Sequence, residues 1–319
     1  MDMLSPPYRA IWRLLSTGQL IPFLGAGASL SGRAAGASWV AEQSTFPPTG
    51  GEVARYLAEE AGFPEEDTGD LAKVAQYFRA VLGRPYLRQW LRGVFHHPFA
   101  YGPVHQLLAE IPTPLLIVTT NYDDLIERAF RDRGRPYDLV IHQTDAAEWG
   151  GAVIHWPYGA TEPRFSSPKS LRIDLSRTTV IYKMHGGVDG MDAARDSFVI
   201  DEDDYTDFLV RVADKTAIPA IFAEAVSIRS FLFLGYSLRD WNFRMILSKI
   251  DRDLPHSPQA RRSGARQERG ESWAIQKDTS ALERKLWEAR NVNIFELDIA
   301  EFVARLRQAQ GGAVPGEVR

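Results

Sequence analysis

The sequence predicts an α/β protein whose mostly parallel sheet is covered by helices on both faces. Short apolar segments of strand length alternate with amphipathic helical segments along most of the 319 residues. This alternation is typical of parallel sheets, because a parallel connection needs a crossover that is usually a helix. Four of the predicted strands end in glycine-rich or polar motifs. Ligands of parallel sheets bind at these carboxyl ends, so the motifs indicate one shared site.

The composition is that of an ordinary globular protein and excludes several kinds of function. The chain is 45% hydrophobic and 24% charged, and its net charge of −4 gives no basic field for nucleic acid. We therefore expect no direct nucleic-acid binding. The absence of cysteine excludes disulfides, thiolate zinc sites and a cysteine nucleophile, and it fits a reducing cytoplasm. We also expect no signal peptide and no membrane span, because no apolar run approaches the required ~20 residues.

The first motif follows a predicted strand at Leu20–Leu24 and reads Gly-Ala-Gly-Ala-Ser over Gly25–Ser29. Its two glycines let the backbone turn sharply and approach a ligand, and outward N–H groups there suit a phosphate. The dinucleotide fingerprint requires a third glycine, however, and Leu30 occupies that position. Pro22 also argues against a central strand. An ordinary tight turn is the alternative interpretation.

The segment 51–112 contains helical patterns but no strand pattern, which predicts a helical lobe inserted into the α/β domain. Residues 30–50 before it are rich in Gly, Ser, Ala and Pro and are expected to form a loop. Asp70 is a candidate N-cap, because its carboxylate can accept from the first free amides of a helix. The predicted helices from the start of the sequence to residue 112 are 6–17, 52–62, one that follows Asp70, 85–95 and 104–110.

The rest of the chain returns to alternating strands and helices. Residues 143–178 are irregular and long for an unstructured loop, which predicts a role or a small structure of their own. Residues 255–272 are polar and are expected to form an exposed loop. The predicted strands are 115–119, 137–142, 179–184, 197–201, 231–234, 272–276 and 292–297. The predicted helices are 125–133, one from 203, 218–228, 240–251, one between the last two strands, and 299–308 before a frayed tail at 311–319.

The side chains at the strand ends are suited to chemistry on a nucleotide. Asn121 offers an amide that could hold a ribose hydroxyl or a water molecule, and His185 could act as a general base near neutral pH. None of the four motifs carries the paired carboxylates of a typical glycosidase. Two bland alternatives remain for these residues. Asn121 and Asp123 could simply cap the following helix, and His185 could be structural.

The order of the motifs resembles the sirtuin superfamily, most closely the bacterial sirtuin-like domains of anti-phage defence. The resemblance spans about residues 20–300. The residues that carry it are Gly25–Ser29, Thr119–Asp123, Lys183–Gly187, Leu234–Asn242, Ser197–Tyr205 and Ser272–Gln276.

This resemblance implies a Rossmann-like core with a helical lobe, arranged as one sirtuin-like domain over 1–319. The core would comprise 1–50 and 113–300, the lobe 51–112, and the C-terminal helix and tail 301–319. Asn121 and His185 would be the catalytic residues, and no metal would be bound. The implied NAD-binding residues are Gly25, Ala26, Gly27, Ser29, Thr120, Asp123, Gly235 and Ser237.

The implied activity is an NAD+ glycohydrolase that releases nicotinamide and ADP-ribose as the toxic effector of a defence system. Protein deacetylation fits less well, because the chain lacks the four-cysteine zinc module and a recognisable loop motif at 30–45. An NAD-dependent deacylase or ADP-ribosyltransferase and a non-catalytic nucleotide-binding subunit are the alternatives. A toxic activity requires control, which predicts a homo-oligomer, a regulatory partner such as a hexameric ATPase or an Argonaute-like protein, or both.

Overall fold

The structure, a computed structural model, describes residues 5–34, 36–144, 151–214, 216–236, 270–277 and 279–310. The helices are α1 (Tyr8–Ser16), α2 (Ala26–Ser29), α3 (Gly50–Ala61), α4 (Leu71–Leu82), α5 (Arg84–Phe95), α6 (Pro103–Glu110), α7 (Leu125–Asp132), α8 (Glu202–Ala213), α9 (Ala220–Ile228), α10 (Ala281–Glu288) and α11 (Ile299–Gln310). The strands are β1 (Leu20–Leu24), β2 (Leu116–Thr119), β3 (Asp138–His142), β4 (Val153–Trp156), β5 (Arg164–Ser166), β6 (Val180–Lys183), β7 (Gly186–Gly187), β8 (Ser197–Phe198), β9 (Ser230–Leu234), β10 (Ser272–Gln276) and β11 (Val292–Glu296).

Nine of these strands form one sheet in the order β11-β10-β9-β1-β2-β6-β3-β4-β5. Every neighbouring pair from β11 to β3 is parallel, whereas β4 and β5 join one edge in antiparallel fashion. The predicted α/β class with a mostly parallel sheet is confirmed. The strands that carry the four motifs, β9, β1, β2 and β6, are neighbours in the middle of the sheet. Their motifs therefore meet at one edge.

Helices cover both faces of the sheet, as parallel strands buried on two sides require. On one face, α8, α9 and α10 contribute Phe208, Val212, Phe222, Val226 and Trp287 to the same apolar cluster as the strands. On the other face, α1, α6, α7 and α11 contribute Ile11, Leu15, Leu107, Phe130 and Phe302. A fully buried side chain of this kind stabilises the fold by about 1.5–3 kcal/mol. The two clusters fix the sheet and hence the positions of its strand ends.

Helices α3, α4 and α5 form a lobe with an apolar cluster of its own, which includes Val53, Leu57, Phe78 and Leu91. Asp70 caps α4 by accepting from the amides of Ala72 and Lys73, as predicted. Arginines of α5 reach across to the core, where Arg84 bonds Asp204 at 2.8 Å and Arg92 bonds Asp196 at 2.8 Å.

Helix α6 packs with the sheet helices instead of the lobe. The boundaries between the core and the lobe stay a prediction.

Two features of the sheet differ from the sequence-based expectation. The irregular segment 143–178 contains β4 and β5, so part of it has a regular structure after all. Pro22 lies in a central strand because β1 pairs with β9 along its whole length, whereas its pairing with β2 begins only at Phe23. The missing N–H of the proline thus falls outside the ladder to β2.

Several predicted segments lie outside the described residues. They are the helix 240–251, the tail 311–319 and most of the loop 255–272. Within the described ranges, no helix combines the length and the apolar composition needed to span a bilayer.

Candidate active site

A cavity of about 330 Å³ opens where β9, β1, β2 and β6 end. It brings together residues from all four predicted motifs, namely Ala26, Gly27, Ser29, Thr120, Asn121, Asp123, His185 and Gly235. Gly25 precedes Ala26 in the chain but is not among the lining residues, and the predicted residue Ser237 is outside the described part of the chain. Pro47, Pro48 and Gly50 close one side, so the end of the predicted loop 30–50 borders the cavity.

The two glycine turns touch each other at the base of the cavity. A Cβ on Gly25 would lie 2.7 Å from the Gly235 carbonyl oxygen, and one on Gly235 would lie 2.1 Å from the Ala28 nitrogen. Gly235 also has a φ of +67°, which favours glycine. The Gly27 N–H donates to the Gly235 carbonyl at 2.8 Å, whereas the Ala26 N–H has no partner among the described residues. These glycines thus serve the contact between two turns, and Ala26 offers the unused amide.

Asn121 is fixed by hydrogen bonds from its amide nitrogen. Its Nδ2 donates to the Gly25 carbonyl at 3.0 Å and to the Ser29 hydroxyl at 2.8 Å. A carbonyl oxygen can only accept, so the nitrogen must face Gly25 and both amide hydrogens are used. Its Oδ1 is left for a ligand, because no described residue donates to it. Asn121 is therefore presented as a hydrogen-bond acceptor.

Asp123 extends the same network and is buried. Its Oδ2 accepts from the Ser29 hydroxyl at 2.7 Å, and its Oδ1 accepts from the Leu125 amide at 3.2 Å. The second bond satisfies the first amide of α7, and in this sense the capping interpretation holds for Asp123, although the N-cap residue is Asp124, whose side chain makes no capping bond. It does not hold for Asn121, whose side chain points back to the glycine turn. The helix cap therefore explains one of the two residues and leaves the amide for another role.

His185 follows β6 and is 3% exposed. Its ring packs edge-on against Phe208 and Tyr205, with centroid distances of 5.0 and 5.7 Å. Burial lowers the pKa of His185 to about 3, so the ring is neutral at pH 7. Its Nε2 has no hydrogen-bond partner among the described residues. His185 lines the cavity, and its neutral ring can accept a hydrogen bond or a proton at the nitrogen that carries no hydrogen.

Close packing of the backbone explains the glycine that follows His185. Gly186 has a φ of +79°, and a Cβ there would lie 2.1 Å from the Ser197 carbonyl oxygen. Only glycine allows β7 to approach β8 so closely. The Val199 amide then donates to the His185 carbonyl at 3.0 Å, which fixes the backbone of the histidine.

The sequence assigned no role to His142, which is fully buried at the end of β3. Phe208 separates it from His185 and lies 5.5 Å from its ring centroid. Burial, and then the positive charge of Arg211, lower the pKa of His142 to about 3. Neither ring nitrogen has a partner in the described ranges. Its position in an apolar strand gave no signal that distinguishes it from a core residue.

Further walls of the cavity come from elements that the sequence did not connect with the site. Helices α3, α4, α5 and α8 and neighbouring loops supply Val53, Leu71, Phe95, Tyr122, Ile200, Tyr205 and Tyr236. Tyr205 belongs to the helix predicted from residue 203, but only the fold shows that it borders His185.

Comparison with known proteins identifies the family. A family profile described as a SIR2-like domain matches residues 115–295, which is more than half of the chain. The chain belongs to the SIR2-like domain family. The matched range contains Asn121, His185 and the Gly235 turn of this SIR2-like chain. The resemblance inferred from the motif order is thereby confirmed.

Curated relatives of the SIR2-like chain include bacterial proteins named for NAD+ hydrolysis and for defence. The NAD(+) hydrolase ThsA of Acinetobacter baumannii is 31% identical over 229 residues, covering 70% of this chain and 38% of the relative. The NAD(+) hydrolase ThsA of Cytobacillus dafuensis is 30% identical over 196 residues, covering 61% and 33%. Defense-associated sirtuin 2 of Bacillus subtilis is 24% identical over 251 residues, covering 76% and 20%. The chain thus spans only 33–38% of the length of these two ThsA relatives.

Proposed function

We propose that this chain is an NAD+ glycohydrolase that cleaves NAD+, its substrate, to nicotinamide and ADP-ribose without a metal. The observation that carries the proposal is the meeting of Asn121 and His185 at one cavity, beside two glycine turns. Their strands β2 and β6 are neighbours in the sheet. The names of the ThsA relatives support the same activity.

The geometry suggests a role for each of the two side chains. The bond between nicotinamide and ribose would break through an oxocarbenium-like state, and nicotinamide would leave as a neutral molecule. Asn121 Oδ1 would accept a hydrogen bond from the attacking water or from a ribose hydroxyl. His185 would take the proton that the water loses when its oxygen bonds to C1 of the ribose. The neutral ring has a lone pair that can accept this proton, and burial makes it a weaker base than a histidine in water.

The remaining predicted residues would hold the rest of NAD+. The Gly25–Ser29 and Gly235 turns would contact the pyrophosphate, with the unused amide of Ala26 as one donor. Thr120 and Asp123 would line the nicotinamide side of the cavity. Ser237 keeps its proposed role as a second phosphate or ribose contact, and it lies outside the described residues.

We further propose that the activity serves anti-phage defence. The name of the Bacillus subtilis relative supports this role. Constant hydrolysis of NAD+ would harm the host, so the enzyme needs control. We propose that self-assembly, or a partner protein such as a hexameric ATPase, supplies it.

The decisive experiment measures nicotinamide release from NAD+ by the purified chain. Asn121→Ala and His185→Ala should each lower the rate by at least ~10²–10⁴-fold, the usual value of a positioned acid–base group. His96→Ala is the matched control, because His96 is exposed outside the cavity. Full turnover by the Asn121→Ala and His185→Ala double variant would refute the assignment of the site.

Two other outcomes would select the alternatives. NAD+ loss that requires an acylated peptide or another acceptor would indicate a deacylase or an ADP-ribosyltransferase. NAD+ binding without turnover, alone and with candidate partners, would indicate a non-catalytic nucleotide-binding subunit.

A further inference from the structure

A buried ion pair lies next to the loop that carries Asn121. Lys183 is the last residue of β6, and Glu127 is in the first turn of α7; their side chains are 1% and 3% exposed. Lys183 Nζ lies 2.9 Å from Glu127 Oε1. Burial raises the pKa of the Glu127 carboxyl, and the charge of Lys183 opposes this shift. A buried pair is a weak source of stability, because desolvation offsets much of the attraction. The presence of this ion pair therefore needs an explanation other than a gain in stability.

The other contacts of Lys183 supply that explanation. Its Nζ also donates to the Tyr122 carbonyl at 3.1 Å and to the Asp123 carbonyl at 2.5 Å. An ammonium group has three hydrogens, so all of them are used. Two of the three acceptors are consecutive backbone carbonyls immediately after Asn121. Lys183 thus fixes the backbone that carries the amide.

The same segment of chain carries His185. The Lys183 backbone pairs in register with Thr119 of β2, and the Val188 amide donates to the Tyr122 carbonyl at 3.3 Å. The residues from 183 to 188 therefore hold both the histidine and the loop of Asn121. Gly187 leaves the room that this needs, because a Cβ there would lie 2.6 Å from Lys183 Cε.

We propose that Lys183 is a positioning residue that fixes Asn121 relative to His185 and does not touch the substrate. The inference rests on the hydrolase function proposed above. Its physical basis is the tight geometric requirement of catalysis, in which a misplacement of ~1 Å can cost ~10²-fold in rate. The lysine acts on Asn121 through the main-chain carbonyls of Tyr122 and Asp123. Positioning Asn121 in this way therefore needs no other charged group at the cavity.

The test replaces both charges, so that neither is left buried alone. Exchanging a buried ion pair for apolar side chains of similar volume is often neutral for stability. We therefore expect Lys183→Met combined with Glu127→Met to fold, while kcat for nicotinamide release falls at least ~10-fold and KM changes little. Lys73→Met combined with Glu65→Met is the matched control, because that lysine–glutamate pair is exposed and does not line the cavity.

A second variant separates the ammonium from its counterion. Glu127→Gln keeps Lys183 and both carbonyl contacts, so its kcat should fall less than that of the double variant. If the ion pair had only a structural role, every variant that remains folded would keep the kcat of the wild-type chain. Wild-type kcat in the folded double variant would therefore overturn the proposal.

Amide hydrogen exchange tests the positioning even without turnover. Peptides that cover residues 118–126 should exchange faster in the double variant, whereas peptides from α11 should not change. If the wild-type chain shows no NAD+ turnover, alone and with candidate partners, the hydrolase proposal fails, and this measurement decides the inference alone. Unchanged exchange over residues 118–126 would then overturn it, and faster exchange would support it.

Discussion

At the end of β2 Asn121 is held by hydrogen bonds, whereas at the end of β6 His185 is held by aromatic rings. The amide nitrogen of Asn121 has two partners, and Ser29 links it to the Asp123 carboxylate. His185 lies between Phe208 and Tyr205, and its Nε2 has no partner in the described ranges. Two adjacent strand ends thus hold their functional groups by different physical means.

This difference follows from what each group is proposed to do. A hydrogen-bonded network fixes the direction of a dipole, as an amide that orients a substrate requires. An apolar wall instead sets the protonation state, because burial penalises the charged form of an imidazole. Stability and activity should therefore be coupled at Asn121 and separable at His185.

The largest expected effect is a loss of activity without a loss of stability, in His185→Leu. Leucine approximates the volume of the ring and no hydrogen bond of the ring is seen among the described residues, so the fold should keep its free energy of unfolding. Nicotinamide release should fall by at least ~10²–10⁴-fold. Urea denaturation at pH 7 and the release assay measure the two effects. A strongly destabilised variant would show that polar contacts hold His185 as well.

The opposite pattern is expected for Ser29→Ala at the Asn121 end. The hydroxyl bonds both Asn121 and Asp123, and its removal leaves a buried carboxylate oxygen and an amide hydrogen without partners. We expect the free energy of unfolding to fall by about 1–3 kcal/mol. Turnover should fall in the same variant, because the amide loses one of its two anchors.

Ser16→Ala is the control for this variant, since among the described residues its hydroxyl bonds only the Trp12 carbonyl within α1. It should leave nicotinamide release unchanged. Wild-type stability in Ser29→Ala would contradict the view that the network holds this end.

Both strand ends could be predicted from the sequence, but the contacts that hold Asn121 and His185 there could not. Strand ends could be predicted because glycine and polar residues interrupt apolar runs, and the order of the sheet strands then brings the motifs together. The hydrogen bond between Ser29 and Asp123 joins residues far apart in sequence, and local patterns carry no information about it. The same is true of the aromatic wall around His185, which α8 supplies.

Strand β5 and the burial of Lys183 were missed for reasons of the same kind. Strand β5 has three residues and is mostly exposed, so it lacks the apolar run that marks a strand. Lys183 ends an apolar strand, where a charged residue is typically solvated. Its burial depends on Glu127 and on two carbonyl groups of another loop. Such a contact can be seen only in the folded chain.

The smallest expected effect concerns the pH dependence of stability. Burial lowers the pKa of His185 from its usual 6.5 to about 3. Below pH 6.5 the unfolded chain takes up a proton that the folded chain accepts only near pH 3, so stability falls as the pH falls through this window. Between pH 5 and 6 one such histidine contributes a slope of about 1.0–1.3 kcal/mol per pH unit. His185→Leu should therefore flatten the curve of unfolding free energy against pH by about one proton.

A variant at the end of β2 should shift the curve of unfolding free energy against pH without changing its slope. Thr119→Val removes a hydroxyl that donates to the Leu24 carbonyl and accepts from the backbone N–H of Asn121, but it removes no titratable group. Urea denaturation at several pH values between 5 and 6 distinguishes the two behaviours. Equal slopes in wild-type and His185→Leu would mean that the histidine is protonated in the folded state. Its aromatic surroundings would then not control its charge, and the contrast between the two strand ends would be lost.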